Sequence, residues 1–78
     1  MQTAELQLII EGRETARSGR GARVRRIAGI TQAELGEALG VTSTTISRWE
    51  RGERQPRGRH AIAYLRAVRE ITEFQSGR

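Results

Sequence analysis

Apolar residues recur along this chain at spacings of three and four, and no stretch alternates as a strand would. Leu6, Ile9 and Ile10 form the first stripe. Thr3 ahead of them has the side chain of an N-cap, so a helix is predicted over residues 3–13. Residues 12–21 are rich in Gly, Arg and Ser, which predicts a turn or a weakened helix. The next helix is expected over 20–28, with Val24, Ile27 and Ala28 inward and Gly29 at its end. Thr31 and Glu34 have the spacing of a capping box, in which hydroxyl and carboxylate each satisfy a free backbone N–H. The helix they open should bury Leu35 and Leu39. Gly40 suits a left-handed turn, Thr42 caps a further helix reaching about Arg51, and Gly52 ends it. Pro56 stands near the start of a last helix over 57–74, with the stripe Ala61, Tyr64, Leu65, Val68 and Ile71. The expected fold class is all-α, a compact bundle of about five helices. Residues 20–74 would form the main domain, 1–19 an N-terminal helix or extension, and 75–78 a flexible tail.

Two short helices around a glycine turn, residues 31–52, have the layout of a helix-turn-helix. That motif presents its second helix to the major groove of DNA. At about 100° per residue, Ile46 and Trp49 share one side of this second helix, joined by Val41 just before it. Thr44, Ser47, Arg48 and Arg51 point the other way, and Ser43 stands at the helix start. This outer face carries short hydroxyls and arginine but no acid. Arg48 has the fork to reach O6 and N7 of guanine, and Thr44 or Ser47 can bond base edges or touch a thymine methyl. Glu50 falls nearer the buried side, where a carboxylate needs a partner. Arg25, on the preceding helix, is the expected one, in an ion pair tying the two helices together.

Charge adds to this picture. The 78 residues carry 14 basic side chains, all arginine, against nine acids, for a net charge of +5. A basic surface on so small a domain suggests a polyanionic partner. After the outward-facing helix comes RGERQPRGR, whose Arg51, Arg54, Arg57 and Arg59 should follow a phosphate backbone or enter the adjacent minor groove.

Composition excludes several classes. With no cysteine, there is no disulfide or thiolate metal site. His60 is the only histidine, so a metal site or catalytic base lacks companions, and a surface or capping role is expected. Ser43 and Ser47 have no His/Asp constellation beside them, and no paired carboxylates or phosphate loop suggest an enzyme. No cofactor or small-molecule substrate is indicated. No apolar run is long enough to cross a membrane, and the start lacks the basic region of a signal peptide. A soluble cytoplasmic protein is expected.

Residues 24–56, VRRIAGITQAELGEALGVTSTTISRWERGERQP, resemble the Cro and lambda-repressor (XRE-type) family of helix-turn-helix domains. The resemblance runs through Arg25, Gly29, Thr31-Gln32, Glu34-Leu35, Leu39-Gly40-Val41, Ile46, Trp49-Glu50, Gly52 and Pro56. It implies a regulator that binds double-stranded operator DNA, commonly as a two-fold dimer. It also implies that Gln32 and Thr42 bond phosphates and that Ser43, Thr44, Ser47 and Arg48 occupy base-reading positions. The chain departs from the family at Gly36, where alanine is usual, and at Gly21, where an apolar core residue is common. The stripe Leu6-Ile9-Ile10 is expected either to fill the gap at Gly21 or to form a dimer seam.

The function expected is a transcriptional regulator, a repressor of small phage or plasmid type. The alternatives are an antitoxin or protein-interaction module on the same fold, and a recombination or excision accessory factor. A homodimer, formed in solution or only on DNA, would extend the few base pairs one helix can read.

Overall fold

A computed structural model describes residues 2–77. Its five helices are α1 (Thr3–Arg17), α2 (Arg20–Ile27), α3 (Gln32–Leu39), α4 (Ser43–Glu50) and α5 (Arg59–Ser76), and no strand occurs among the described residues. The all-α class therefore holds. Ala16, Leu35, Ile46, Trp49, Tyr64 and Val68 form the central cluster, with Val24, Ile30, Leu39, Val41 and Ala67 packed around it. The Trp49 and Tyr64 rings meet edge to face, with centroids 5.7 Å apart, joining α4 to α5. No helix among the described residues is long and apolar enough to cross a membrane.

The N-terminal half departs most from expectation. The first helix does not stop at residue 13 but continues to Arg17, and the break is confined to Ser18 and Gly19, the latter at φ 85°. Thr3 is the first helical residue rather than the cap; Gln2 holds the cap position without a side-chain hydrogen bond. Of the stripe Leu6-Ile9-Ile10 only Ile9 is buried, while Leu6 and Ile10 are 48% and 65% exposed. The inner face of α1 is Ile9, Gly12, Thr15 and Ala16. Gly12 has a packing role instead of a turn role: a Cβ there would lie 2.1 Å from the Ala61 carbonyl oxygen, so α1 touches the α5 backbone directly. Thr15, fully buried, donates to the Glu11 carbonyl at 2.8 Å and accepts from Arg20 at 2.9 Å, which satisfies its hydroxyl.

The inner face of α2 also differs. It buries Gly21, Ala22 and Arg25, whereas Ile27 is 71% exposed and Val24 and Ala28 are half-buried. Ile27 lies two residues beyond Arg25, about 200° around the helix, so burying Arg25 turns Ile27 outward. The space at Gly21 is filled by Tyr64, not by the N-terminal stripe; a Cβ on Gly21 would lie 2.1 Å from the Tyr64 hydroxyl oxygen.

The last helix starts at Arg59 and runs to Ser76, past the expected end at 74. Ala61, Tyr64, Leu65 and Val68 are buried and Ile71 is half-buried. Residues 75 and 76, expected in a flexible tail, are its final turn; residue 78 lies outside the described residues.

Candidate nucleic-acid interface

The presentation of α4 begins with the cap of α3. The Thr31 hydroxyl accepts from the Glu34 backbone N–H at 3.0 Å, and the Glu34 carboxylate accepts from the Thr31 N–H at 2.8 Å. The backbone N–H of Thr31, and then its hydroxyl contact, hold the Glu34 carboxyl below its ordinary pKa. Gly40, at φ 73°, reverses the chain after Leu39. The turn lies tight against α3: a Cβ on Gly36 would come within 2.6 Å of the Val41 carbonyl oxygen, closer than alanine allows without a backbone shift. Thr42 then caps α4, its hydroxyl accepting from the Thr45 N–H at 3.1 Å and sharing a 3.0 Å hydrogen bond with the Thr45 hydroxyl.

Ile46 is fully buried and Trp49 nearly so, which fixes the rotation of α4. With those anchors inside, Ser43, Thr44 and Arg48 are exposed and Ser47 is half-buried. No side-chain hydrogen bond or ion pair engages the Ser43, Thr44, Ser47 or Arg48 side chains among the described residues. Three short hydroxyls and one long guanidinium thus stand on a ridge open to a partner.

Glu50 faces the opposite way. Arg25 Nε donates to Glu50 Oε2 at 2.6 Å and Arg25 Nη2 to Oε1 at 3.0 Å, a two-pronged pair whose side chains are only 10% and 6% exposed. Arg25 Nη1 also donates to the Ile30 carbonyl at 2.9 Å, so α2 grips both α4 and the loop before α3. Burial pushes the Glu50 carboxyl upward, but hydrogen bonds from Arg25 and Gln32 and the Arg25 charge outweigh it, leaving the pKa lowered. The hydrogen bond to Glu50 raises the Arg25 pKa despite its burial. Gln32 Nε2 donates to Glu50 Oε1 at 2.9 Å. Its amide is thus committed, at least in part, to this internal cluster rather than standing free at the start of α3.

The arginines after α4 do not act alike. Arg51 is drawn aside by Glu53 at 3.3 Å and lies near the Ser47 carbonyl. Arg54 and Arg57 join Arg48 around a cleft of about 550 Å³ beside α4. Arg59, exposed at the start of α5, lies outside that cleft. Thr45 and Arg13 are among the cleft residues that the sequence pattern does not single out. Thr45 lies at the cleft's α4 edge, and Arg13 reaches it from α1. Thr45 falls about 100° from Thr44, on the flank of the helix, and helical phase does provide that signal. Nothing local marks Arg13, because its position depends on α1 crossing α5. His60, expected in a surface or capping role, is half-buried at the cleft with its ring centroid 6.1 Å from that of Trp49. No group of three or more metal-ligating side chains occurs among the described residues.

Comparison with known proteins agrees with this geometry. A helix-turn-helix family model matches residues 22–73, from α2 to most of α5. Repressor protein C2 of Salmonella phage P22 is 44% identical over 39 residues, which cover 50% of this chain and 18% of that repressor. The chain therefore spans less than a fifth of the length of that relative. No solved structure matches the chain.

Proposed function

We propose that this chain, which belongs to the Cro and lambda-repressor (XRE-type) helix-turn-helix family, is a sequence-specific double-stranded DNA-binding transcriptional regulator of the small phage- or plasmid-repressor kind. The observation that carries this reading is the orientation of α4. Ile46 and Trp49 are anchored inside while Ser43, Thr44 and Arg48 stand exposed, flanked by Arg54 and Arg57, which have no ion-pair partner among the described residues. Base-reading groups and backbone-binding charge lie side by side, which is what groove recognition requires. Ser47 completes the reading ridge. Thr42, at the N-terminus of α4, meets a phosphate with the help of the free N–H groups and the positive end of the helix dipole. Gln32 serves this interface chiefly by holding Glu50, with its remaining amide N–H facing the backbone. Arg51 and Arg59 act at longer range than Arg54 and Arg57. A site read by two copies, with recognition helices about 34 Å apart, supplies the length that one helix lacks.

Selection from random duplexes, followed by sequencing, tests the reading. A consensus with two-fold symmetry is expected. Arg48→Ala should relax preference at one position and cost about 1–3 kcal/mol there, whereas Arg54→Ala should weaken all sequences alike. Uniform loss for both variants would count against base readout by Arg48.

A second reading, a protein-interaction module on the same fold, draws on the exposed Leu6 and Ile10 of α1. A Leu6→Ser/Ile10→Ser double variant that keeps full duplex affinity yet loses a co-purifying protein would favour it.

A further inference from the structure

We propose that α1, which lies outside the segment matched by the helix-turn-helix family, carries a DNA-backbone contact of its own, and that Arg13 makes it. This inference rests on the DNA-binding reading above and extends it to a helix outside the matched segment. Three observations lead to Arg13. First, its position is fixed: the neighbouring Gly12 packs so closely on Ala61 that α1 cannot slide along α5 without a clash. Second, Arg13 Nε donates to the Pro56 carbonyl at 3.0 Å, clamping the loop between α4 and α5 at a buried proline. Arg54 and Arg57 lie on either side of that proline in the same loop. Third, Arg13 lines the cleft that holds Arg48, Arg54 and Arg57.

The cleft is strongly cationic. Four arginines face it against one acid, Glu53, and that carboxylate is already paired with Arg51. None of the four arginines has an ion-pair partner among the described residues. The Arg13 fork divides its work: Nε holds the loop, while its two terminal nitrogens make no hydrogen bond among the described residues and remain available. A phosphodiester group, whose two non-bridging oxygens accept two parallel N–H bonds from such a fork, is the ligand this chemistry fits. Because Arg48 shares the cleft, the phosphate is one next to the bases read by α4.

The test is a salt titration of duplex binding by the full chain, by Arg13→Gln and by Arg13→Lys, on a duplex chosen by selection and on an unrelated one. Each phosphate contact contributes about −0.9 to the slope of log affinity against log salt. Arg13→Gln should make the slope shallower by about one such step on both duplexes, leaving their ratio of affinities unchanged. Arg13→Lys, which keeps the charge, should retain the original slope. An unaltered slope for Arg13→Gln would overturn the contact. So would a collapse of the slope by two or more steps in both variants, because that marks a loop held only structurally. Failure of the unaltered chain to bind any duplex would overturn the DNA-binding reading itself, and this inference with it.

Discussion

Two ion pairs join helices that are distant in sequence, and they differ in almost every physical respect. Arg25 and Glu50 link α2 to α4 with side chains 10% and 6% exposed; Glu11 and Arg69 link α1 to α5 with side chains 50% and 51% exposed. The first pair is two-pronged and held by further hydrogen bonds, with Gln32 donating to the carboxylate and the Ile30 carbonyl accepting from the guanidinium. The second is a single contact in water. An exposed pair is screened and pays the entropy of ordering two long side chains, so it contributes little. A buried pair does not necessarily outperform an apolar replacement, but losing one member leaves an uncompensated charge. Arg25 and Glu50 therefore act chiefly as a lock. They fix the angle of α4 relative to α2 because the alternative arrangement would strand a charge.

The largest effect should come from opening that lock. Glu50→Ala should destabilise the chain by about 3 kcal/mol, near the low end for a broken buried pair, because Arg25 keeps the Ile30 carbonyl. Glu50→Gln should cost less, yet still lower both melting temperature and duplex affinity. If neither changed, the buried pair would be no more important than the exposed one. Acid should act in the same direction. The Glu50 pKa is lowered in the fold, so its stabilisation is present above the ordinary value of 4.5 and is lost as pH falls through the folded value. Melting curves of the unaltered chain should fall in that window, and those of Glu50→Gln should fall less.

A smaller effect is expected at Tyr64, which sits beside the lock. Its hydroxyl is buried over Gly21 with no hydrogen-bond partner among the described residues, and burial, with a contribution from Glu50, pushes its pKa up to about 12. An unpartnered buried hydroxyl is a desolvation cost. Tyr64→Phe should therefore match or exceed the parent in stability, by up to about 1 kcal/mol. Alkaline melting gives a second check. The folded pKa exceeds the ordinary value of 10.0, so stability should be lost as pH rises from there toward 12 in the parent and not in Tyr64→Phe. A clear loss of stability in the phenylalanine variant at neutral pH would mean that the hydroxyl has a partner after all.

The smallest effect belongs to the exposed pair. Glu11→Ala or Arg69→Ala should change stability by no more than about 0.5 kcal/mol, less still at high salt. A shift comparable to that of Glu50→Ala would erase the distinction drawn from burial.

Legibility in the sequence followed the range of the interactions. The capping box at Thr31 and Glu34, the Thr42 cap and the left-handed Gly40 involve residues within a few positions of each other, and each forms as its local pattern implies. The rotation of α4 was legible too, since Ile46 and Trp49 are large and apolar and their phase leaves Thr44 and Arg48 outside. The faces of α1 and α2 were misread for one reason. Beside Ile9, which the stripe does select, and Ala16, their buried sides are built from Gly12, Thr15, Gly21, Ala22 and Arg25, which an apolar stripe does not select, while Leu6, Ile10 and Ile27 lie outside. Small residues are buried there because another backbone or ring comes close, and that neighbour is invisible until the helices cross.

Sequence alone determined the helical class, the turn between α3 and α4, and which way α4 faces, because capping, glycine conformation and helical phase are decided within a few residues. Tertiary structure alone decided that Gln32 joins Glu50, that Tyr64 occupies the space over Gly21, and that Arg13 enters the cleft beside Arg48. Those contacts bring together residues 18 to 43 positions apart, and such meetings depend on how closely whole helices can approach, which no local pattern encodes.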